Sequence, residues 1–123
     1  LEYCRRVGSE NVNLLLDTFH MNIEEDNIPE AIRLAGRKLG HLHVGESNRK
    51  LPGMGSLPWR DIGRALRDIG YEKGVVMEPF LLQGGEVARD CKVWRGLSGN
   101  ADEKMLDRYI KESLTFLKHE FTF

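Results

Sequence analysis

The sequence predicts an α/β fold in which parallel strands alternate with helices, and two hydrophobicity patterns indicate it. Three short apolar runs, at 12–16, 39–44 and 74–78, have the nearly continuous hydrophobicity of strands that are covered on both faces. The segments between them are long enough for one helix and two loops, which is what a crossover between parallel strands requires. Alternation of this kind is typical of α/β domains.

The first part of the chain contains two predicted helices and the first strand. Residues 1–8 resemble the end of a helix, and the first strand ends at Asp17. We expect Asn27 to cap the next helix, with Glu30 three positions later in a capping-box pattern. Its apolar residues have helical spacing and predict one buried stripe: Ile28, Ala31, Ile32, Ala35 and Leu39.

The second part begins with the strand 39–44 and a segment whose glycines and prolines exclude regular structure up to Pro58. Pro58 opens the next helix and Gly70 ends it, before the third strand. A short helix is expected within 79–100, around Val87 to Trp94. Asn100 and Glu103 predict a capping box for the last helix, whose buried face would carry Leu106, Tyr109, Ile110, Ser113 and Leu117.

Length and composition narrow the classes of protein. The chain has 123 residues, 41% of them hydrophobic, which is the size of one domain with a core. Its 18 basic and 19 acidic residues are intermixed, so no charge pattern favours a nucleic-acid or membrane partner. Cys4 and Cys91 lack CxxC spacing and indicate reduced thiols. No apolar run or leader pattern is evident, and we expect a cytoplasmic protein.

Each of the three predicted strands ends on a side chain that binds metals through oxygen or nitrogen. Asp17, His43 and Glu78 are 26 and 35 residues apart, one crossover unit each. Because the C-terminal ends of parallel strands meet at one rim, we expect these three side chains to converge. Two carboxylates and an imidazole suit Mn²⁺, Co²⁺, Fe²⁺ or Mg²⁺, and Zn²⁺ also fits.

Two architectures place strand ends together in this way, a doubly wound sheet and a (β/α)₈ barrel. The sequence has neither GxGxxG nor GxxxxGK[ST], so the nucleotide-binding form of the doubly wound sheet is unsupported. A complete barrel has about 250 residues, and Leu1 is preceded by no initiator methionine. We therefore expect residues 1–123 to be the C-terminal part of one TIM-barrel domain, about its last three βα units, with the N-terminal part absent from this chain.

Strand alternation predicts which side chains share the inner face of the barrel. His41 and His43 point to the same side, with His41 one layer deeper, while Leu42 faces the helices. By the same rule Leu15 and Val76 point inward, beneath Asp17 and Glu78. The inner face is thus expected to be apolar below and metal-binding at the rim.

Further residues beyond the strand ends are candidates for contacts with a substrate. His20 is expected in the loop after the first strand, beside the metal. Arg49 could donate hydrogen bonds to a substrate oxygen and stabilise developing negative charge. Trp59 and Phe80 flank the rim and could cover the apolar face of a ligand. Glu46 is a rival metal ligand, for which a structural ion pair is the preferred interpretation.

Four motifs together resemble the D-tagatose 3-epimerase and D-psicose (allulose) 3-epimerase family: LLLDTFHMNIEED, GHLHVGESNR, PGMGSLPW and VVMEPF. The resemblance implies the C-terminal part of such a barrel, with Asp17, His43 and Glu78 as ligands of Mn²⁺ or, in its place, Co²⁺ or Mg²⁺. It also implies that His20 and Arg49 contact substrate oxygens. A fourth ligand and a further substrate-contacting residue, both glutamates, would lie before Leu1.

The resemblance implies an isomerase that inverts C3 of a ketohexose such as D-tagatose, D-psicose or D-fructose through a cis-enediolate. Glu78 would be one of two proton-transferring carboxylates, and the missing upstream glutamate the other. A homo-oligomer, dimer or tetramer, is expected, and the 123-residue chain alone is expected to be inactive. Alternatives are a hydroxypyruvate isomerase-like or inosose dehydratase-like enzyme, an abasic-site endonuclease, or a non-catalytic barrel fragment.

Overall fold

In the computed structural model, which describes residues 1–122, helices cover one face of a three-stranded parallel sheet. The strands lie in the order β1–β2–β3 and both neighbouring pairs are parallel, so the predicted α/β alternation is confirmed. Within this range no helix combines the length and hydrophobicity needed to cross a membrane. The elements in chain order are α1 (Glu2–Val7), β1 (Leu14–Asp17), α2 (Thr18–Glu24), α3 (Ile28–Ala35), β2 (Leu39–Val44), α4 (Trp59–Asp68), β3 (Val75–Met77), α5 (Gly85–Asp90) and α6 (Glu103–Phe121).

Alternate side chains of the sheet face opposite environments, as predicted. Leu42 and Val44 are fully buried against the helices. Leu15 and Val76, which have the opposite parity, are 54% and 45% exposed. The core lies on the helix side of the sheet, and its completely buried helical members are Ile32, Ile62, Ala65 and Leu66.

Helix α3 begins as the capping-box pattern predicts. The Asn27 side chain accepts a hydrogen bond from the backbone N–H of Glu30 at 3.0 Å, which satisfies one of the free amides of the first turn. The helix ends at Ala35 and a 3₁₀ turn, Gly36–Lys38, follows. Leu39 therefore belongs to β2, and its assignment to the helical stripe was wrong.

Helices α4 and α6 pack closely because Gly63 has no side chain. A Cβ at this position would lie 2.4 Å from the carbonyl oxygen of Glu120, closer than atoms can approach without moving. Ser113 of α6 donates a hydrogen bond to the Pro52 carbonyl at 2.8 Å and so ties α6 to the segment that follows β2. Ile110, predicted on the buried face of α6, is 44% exposed.

Two helices start differently from the prediction. The Asp17 side chain accepts hydrogen bonds from the amides of Phe19 (2.8 Å) and His20 (3.3 Å), so α2 begins directly after β1 and His20 lies on a helix, not in a loop. At α6 the cap is Asp102, which accepts from the Met105 amide at 2.8 Å. Asn100 has φ +61°, a left-handed conformation that excludes it from the extended backbone of an N-cap.

Candidate metal centre and adjoining cavity

The ends of the three strands bring Asp17, His43 and Glu78 together. One ligand atom from each side chain lies within 4.8 Å of the other two. The Nδ1 atom of His43 is 3.1 Å from Glu78 Oε2 and 3.9 Å from Asp17 Oδ2. The sheet register produces this cluster, because Asp17 and Val76 both pair with His43, and Glu78 lies two residues beyond Val76 on the same face.

The Asp17 carboxylate uses its two oxygens for different purposes. Oδ1 accepts from the first amides of α2, whereas Oδ2 faces His43. The helix cap therefore fixes the orientation of the carboxylate and leaves one oxygen available to a ligand. A residue that caps a helix and also ends a strand needs no further support from neighbouring side chains to hold this geometry.

The next residue, Thr18, locks the ends of β1 and β2 together. Its completely buried hydroxyl donates to the Gly45 carbonyl at 2.7 Å and accepts from the Gly45 amide at 3.0 Å. Both hydrogen bonds of one peptide group are thereby satisfied by a single side chain. Because Thr18 follows Asp17 and Gly45 follows His43 by two, this contact holds the two metal-binding side chains at a set spacing.

The donor set fits a divalent cation. Two ligand atoms bonded to one ion at about 2.1 Å can be at most roughly 4.2 Å apart. Both separations measured from His43 Nδ1 fall within that limit. Two carboxylate oxygens and one imidazole nitrogen suit ions such as Mn²⁺, Co²⁺ or Mg²⁺. The three side chains are accessible from one side, with Glu78 44% exposed, which leaves room for ligands from a substrate.

His41 supports the centre from below. Its ring packs edge-on against the ring of His43 with centroids 5.1 Å apart, and it pairs in register with Leu15 in the layer beneath Asp17. A Cβ on Gly74 would come within 3.2 Å of the His41 ring. His41 thus lies one layer deeper, as predicted, and outside the three-residue cluster.

A cavity of about 280 Å³ opens beside the three metal-binding side chains. Two of them, Asp17 and Glu78, line it together with the three residues expected to contact a substrate, His20, Arg49 and Phe80. The Arg49 guanidinium lies 4.0 Å from the centre of the Phe19 ring and 5.2 Å from that of Phe80. Stacking on two aromatic rings restricts the guanidinium while leaving its N–H groups free to donate.

Two expectations about the rim were wrong. Trp59 is 4% exposed and packs in the core against Phe116 and Phe121, so it does not cover a ligand. Glu46 is completely buried, and its carboxylate accepts from N–H groups, among them the Trp59 indole at 2.6 Å, rather than from a cation. A structural role for Glu46 is supported, but the proposed ion pair is not.

Sequence reasoning missed two residues of this site, Thr18 and Phe19. Thr18 carries a signal in its position alone, because it follows a strand-end ligand. Phe19 follows one residue later and forms the floor on which Arg49 stacks. Nothing in the sequence distinguishes Phe19 from an aromatic residue of the core, since the contact depends on a segment 30 residues away.

Comparison with known proteins places this geometry in context. The family described as "Xylose isomerase-like TIM barrel" matches residues 1–117. The chain is 53% identical to the D-psicose 3-epimerase of Enterocloster bolteae over 98% of its length and 40% of the relative's. It is 56% identical to that of Ruminiclostridium cellulolyticum, covering 97% of this chain and 41% of the relative.

A solved structure of D-psicose 3-epimerase with D-tagatose, from Clostridium cellulolyticum H10, superposes with a TM-score of 0.95 at 56% identity. It covers 98% of this chain and 42% of the solved one. The chain thus spans about 40% of the length of the curated relatives that it matches. The barrel expectation is confirmed, and the described residues form a partial barrel.

Proposed function

This chain belongs to the xylose isomerase-like TIM barrel family, and we propose that the whole protein is a metal-dependent ketose 3-epimerase acting on ketohexoses. The observation that carries this proposal is the convergence of Asp17, His43 and Glu78 beside a cavity that His20 and Arg49 also line. The D-psicose 3-epimerases that the chain matches support the same activity. D-Psicose, D-tagatose and D-fructose are the proposed substrates.

We assign Asp17, His43 and Glu78 as metal ligands, with Mn²⁺ as the preferred ion and Co²⁺ or Mg²⁺ as substitutes. A divalent cation held there would polarise the ketose carbonyl and so acidify the proton on C3. The imidazole of His43 contributes nitrogen, which favours a transition-metal ion over Ca²⁺. Asp17 is held by its cap to α2, so its free oxygen is pre-positioned.

Glu78 is the proposed proton-transferring residue of this chain. Its carboxylate takes the proton from C3 and leaves a planar cis-enediolate, which can be reprotonated from the other face. Inversion requires a second carboxylate on that opposite face, and we place it in a part of the protein outside this chain. Because each half of the reaction needs one carboxylate, we expect the 123-residue chain alone to bind metal weakly and to show no turnover.

Three residues around the cavity are proposed to bind the sugar. Arg49 and His20 donate hydrogen bonds to substrate oxygens and stabilise the negative charge that develops on them. Phe80 presents an aromatic face to the carbon skeleton of the sugar. The stacking of Arg49 between Phe19 and Phe80 supports this role, because a restrained guanidinium loses little freedom when the substrate arrives.

We further propose that the protein is a cytoplasmic homo-oligomer in which the remaining barrel strands cover the open face of the sheet. The exposed inward residues Leu15 and Val76 support this, since apolar side chains at the base of a barrel are normally enclosed. Cys4 and Cys91 are both free thiols, which agrees with a reducing compartment.

The test uses the full-length protein, stripped of metal with a chelator and then supplied with Mn²⁺, Co²⁺ or Mg²⁺. We expect conversion of D-fructose to D-psicose only after metal is restored. In D₂O the product should carry deuterium at C3. Deuterium at another carbon, isomerisation of hydroxypyruvate or dehydration of an inosose with no action on ketohexoses would contradict the proposal and favour another enzyme of the same family.

A further inference from the structure

The buried carboxylate of Glu46 lies at the centre of the segment between β2 and α4. Oε1 accepts from the Gly53 amide at 2.9 Å and from the Trp59 indole N–H at 2.6 Å. Oε2 accepts from the amides of Ser47 and Leu57, each at 3.3 Å. Four donors that span residues 47 to 59 therefore point at one side chain, and its charge is compensated by N–H dipoles.

The same residue holds the backbone turn that carries Arg49. The Arg49 amide donates to the Glu46 carbonyl at 2.9 Å, and the Glu46 amide donates to the Lys50 carbonyl at 3.1 Å. Arg49 has φ +70°, a left-handed conformation that non-glycine residues rarely adopt unless neighbouring contacts impose it. The Phe80 amide closes the arrangement by donating to the Arg49 carbonyl at 2.9 Å.

Only a carboxylate satisfies this arrangement. Each oxygen receives two donors, and a glutamine in the same place would turn its NH₂ group towards two N–H groups. The segment is also wrapped tightly around the carboxylate, because a Cβ on Gly55 would lie 2.3 Å from Oε2. A side chain of equal size but different hydrogen bonding should therefore disturb the segment.

We propose that Glu46 is a positioning residue, which fixes the turn 46–50 so that the Arg49 guanidinium stands over the substrate cavity. Glu46 itself lines no part of that cavity, and its effect on the reaction passes through Arg49. This inference rests on the proposed function only where it concerns turnover. The effect of Glu46 on the conformation of the turn stands independently.

The experiment is a double-mutant cycle in the full-length protein, with Glu46→Gln, Arg49→Ala and the double variant. Removing one preorganised donor from a transition state costs about 10²- to 10³-fold in kcat. We expect Glu46→Gln to lower kcat at least tenfold, a share of that effect, while KM changes by less than about threefold. In the Arg49→Ala background the same substitution should change kcat by less than about twofold.

An equal loss of kcat in both backgrounds, or no loss in the wild-type background, would overturn the proposal. Trp59→Phe serves as a milder variant if Glu46→Gln does not fold. It removes one donor and keeps the aromatic packing, and its smaller loss should likewise vanish with Arg49→Ala. Glu112→Gln, an exposed residue of α6 paired with Arg108 at 3.4 Å, is the matched control and should change nothing.

Hydrogen exchange separates this inference from the proposed function. Glu46→Gln should speed exchange at the Arg49 and Phe80 amides by at least about tenfold, since both report on the turn. If the wild-type protein does not epimerise ketoses but exchange accelerates, the proposed function fails and the positioning role holds. Unchanged exchange at both amides would overturn the positioning role whatever the enzyme does.

Discussion

The two faces of the three-stranded sheet are made from alternate residues of the same strands, yet they have opposite properties. On the helix side Leu42 and Val44 are completely buried. On the other side their strand neighbour His43 joins two carboxylates at the rim, above the exposed apolar residue Leu15. Side-chain parity therefore separates stability from chemistry, and substitutions on the two faces should have separable effects.

The largest expected effect comes from the functional face. Glu78→Gln in the full-length protein removes both a metal ligand and the proposed proton acceptor, so kcat should fall by about 10³-fold or more. Because Glu78 is 44% exposed in this chain, its free energy of unfolding should change by less than about 1 kcal/mol. Steady-state kinetics and urea denaturation measure the two quantities. A variant that retains most of its activity would remove Glu78 from the mechanism.

The helix face should respond in the opposite way. Leu42→Ala removes a completely buried side chain from the middle of β2, which should cost about 2–5 kcal/mol of stability. Mn²⁺ affinity of the folded protein should stay within about twofold, because Leu42 does not touch the metal centre. Urea denaturation and isothermal titration check this. Equal losses of stability and affinity would show that the two faces are not separable.

Thr18 tests the one contact that links the faces at the rim. Thr18→Val leaves the Gly45 peptide group without its partner, at a cost of about 1–3 kcal/mol. It should also weaken Mn²⁺ binding, because the spacing of Asp17 and His43 is released. Thr18→Ser keeps the hydroxyl and should restore most of the metal affinity. A serine variant as impaired as valine would assign the effect to the lost methyl group.

The smallest effect is expected far from the rim, at the start of α3. Asn27→Ala removes the side-chain acceptor for the Glu30 amide, which should lower stability by about 1 kcal/mol. Activity should be unchanged at a temperature where the protein is fully folded. Asn27→Asp keeps an acceptor oxygen and is the matched control, which should melt close to wild type.

The strands and the metal cluster could be predicted from sequence because both follow from local patterns. The apolar run 39–44 coincides with β2, and strand parity correctly placed Leu42 outward and His43 inward. Convergence of Asp17, His43 and Glu78 required only that the strands be parallel and neighbouring. No knowledge of side-chain packing was needed for either conclusion.

The errors arose where two local patterns compete or where distant contacts decide. Asn100 and Asp102 are both good caps, and only the backbone conformation reveals that Asp102 has the role. Helix α2 has no extended apolar stripe and depends on the Asp17 cap. Glu46 and Trp59 bind each other in the core across 13 residues, a pairing that charge and exposure statistics cannot anticipate.

The central claim is that the three strand ends hold one divalent cation. We expect a Mn²⁺ titration of the metal-free full-length protein, followed by electron paramagnetic resonance, to give one site per chain. His43→Ala should weaken that site at least about tenfold, whereas His119→Ala, exposed on α6, should leave it unchanged. A His43→Ala protein that binds Mn²⁺ as tightly as wild type would contradict the claim.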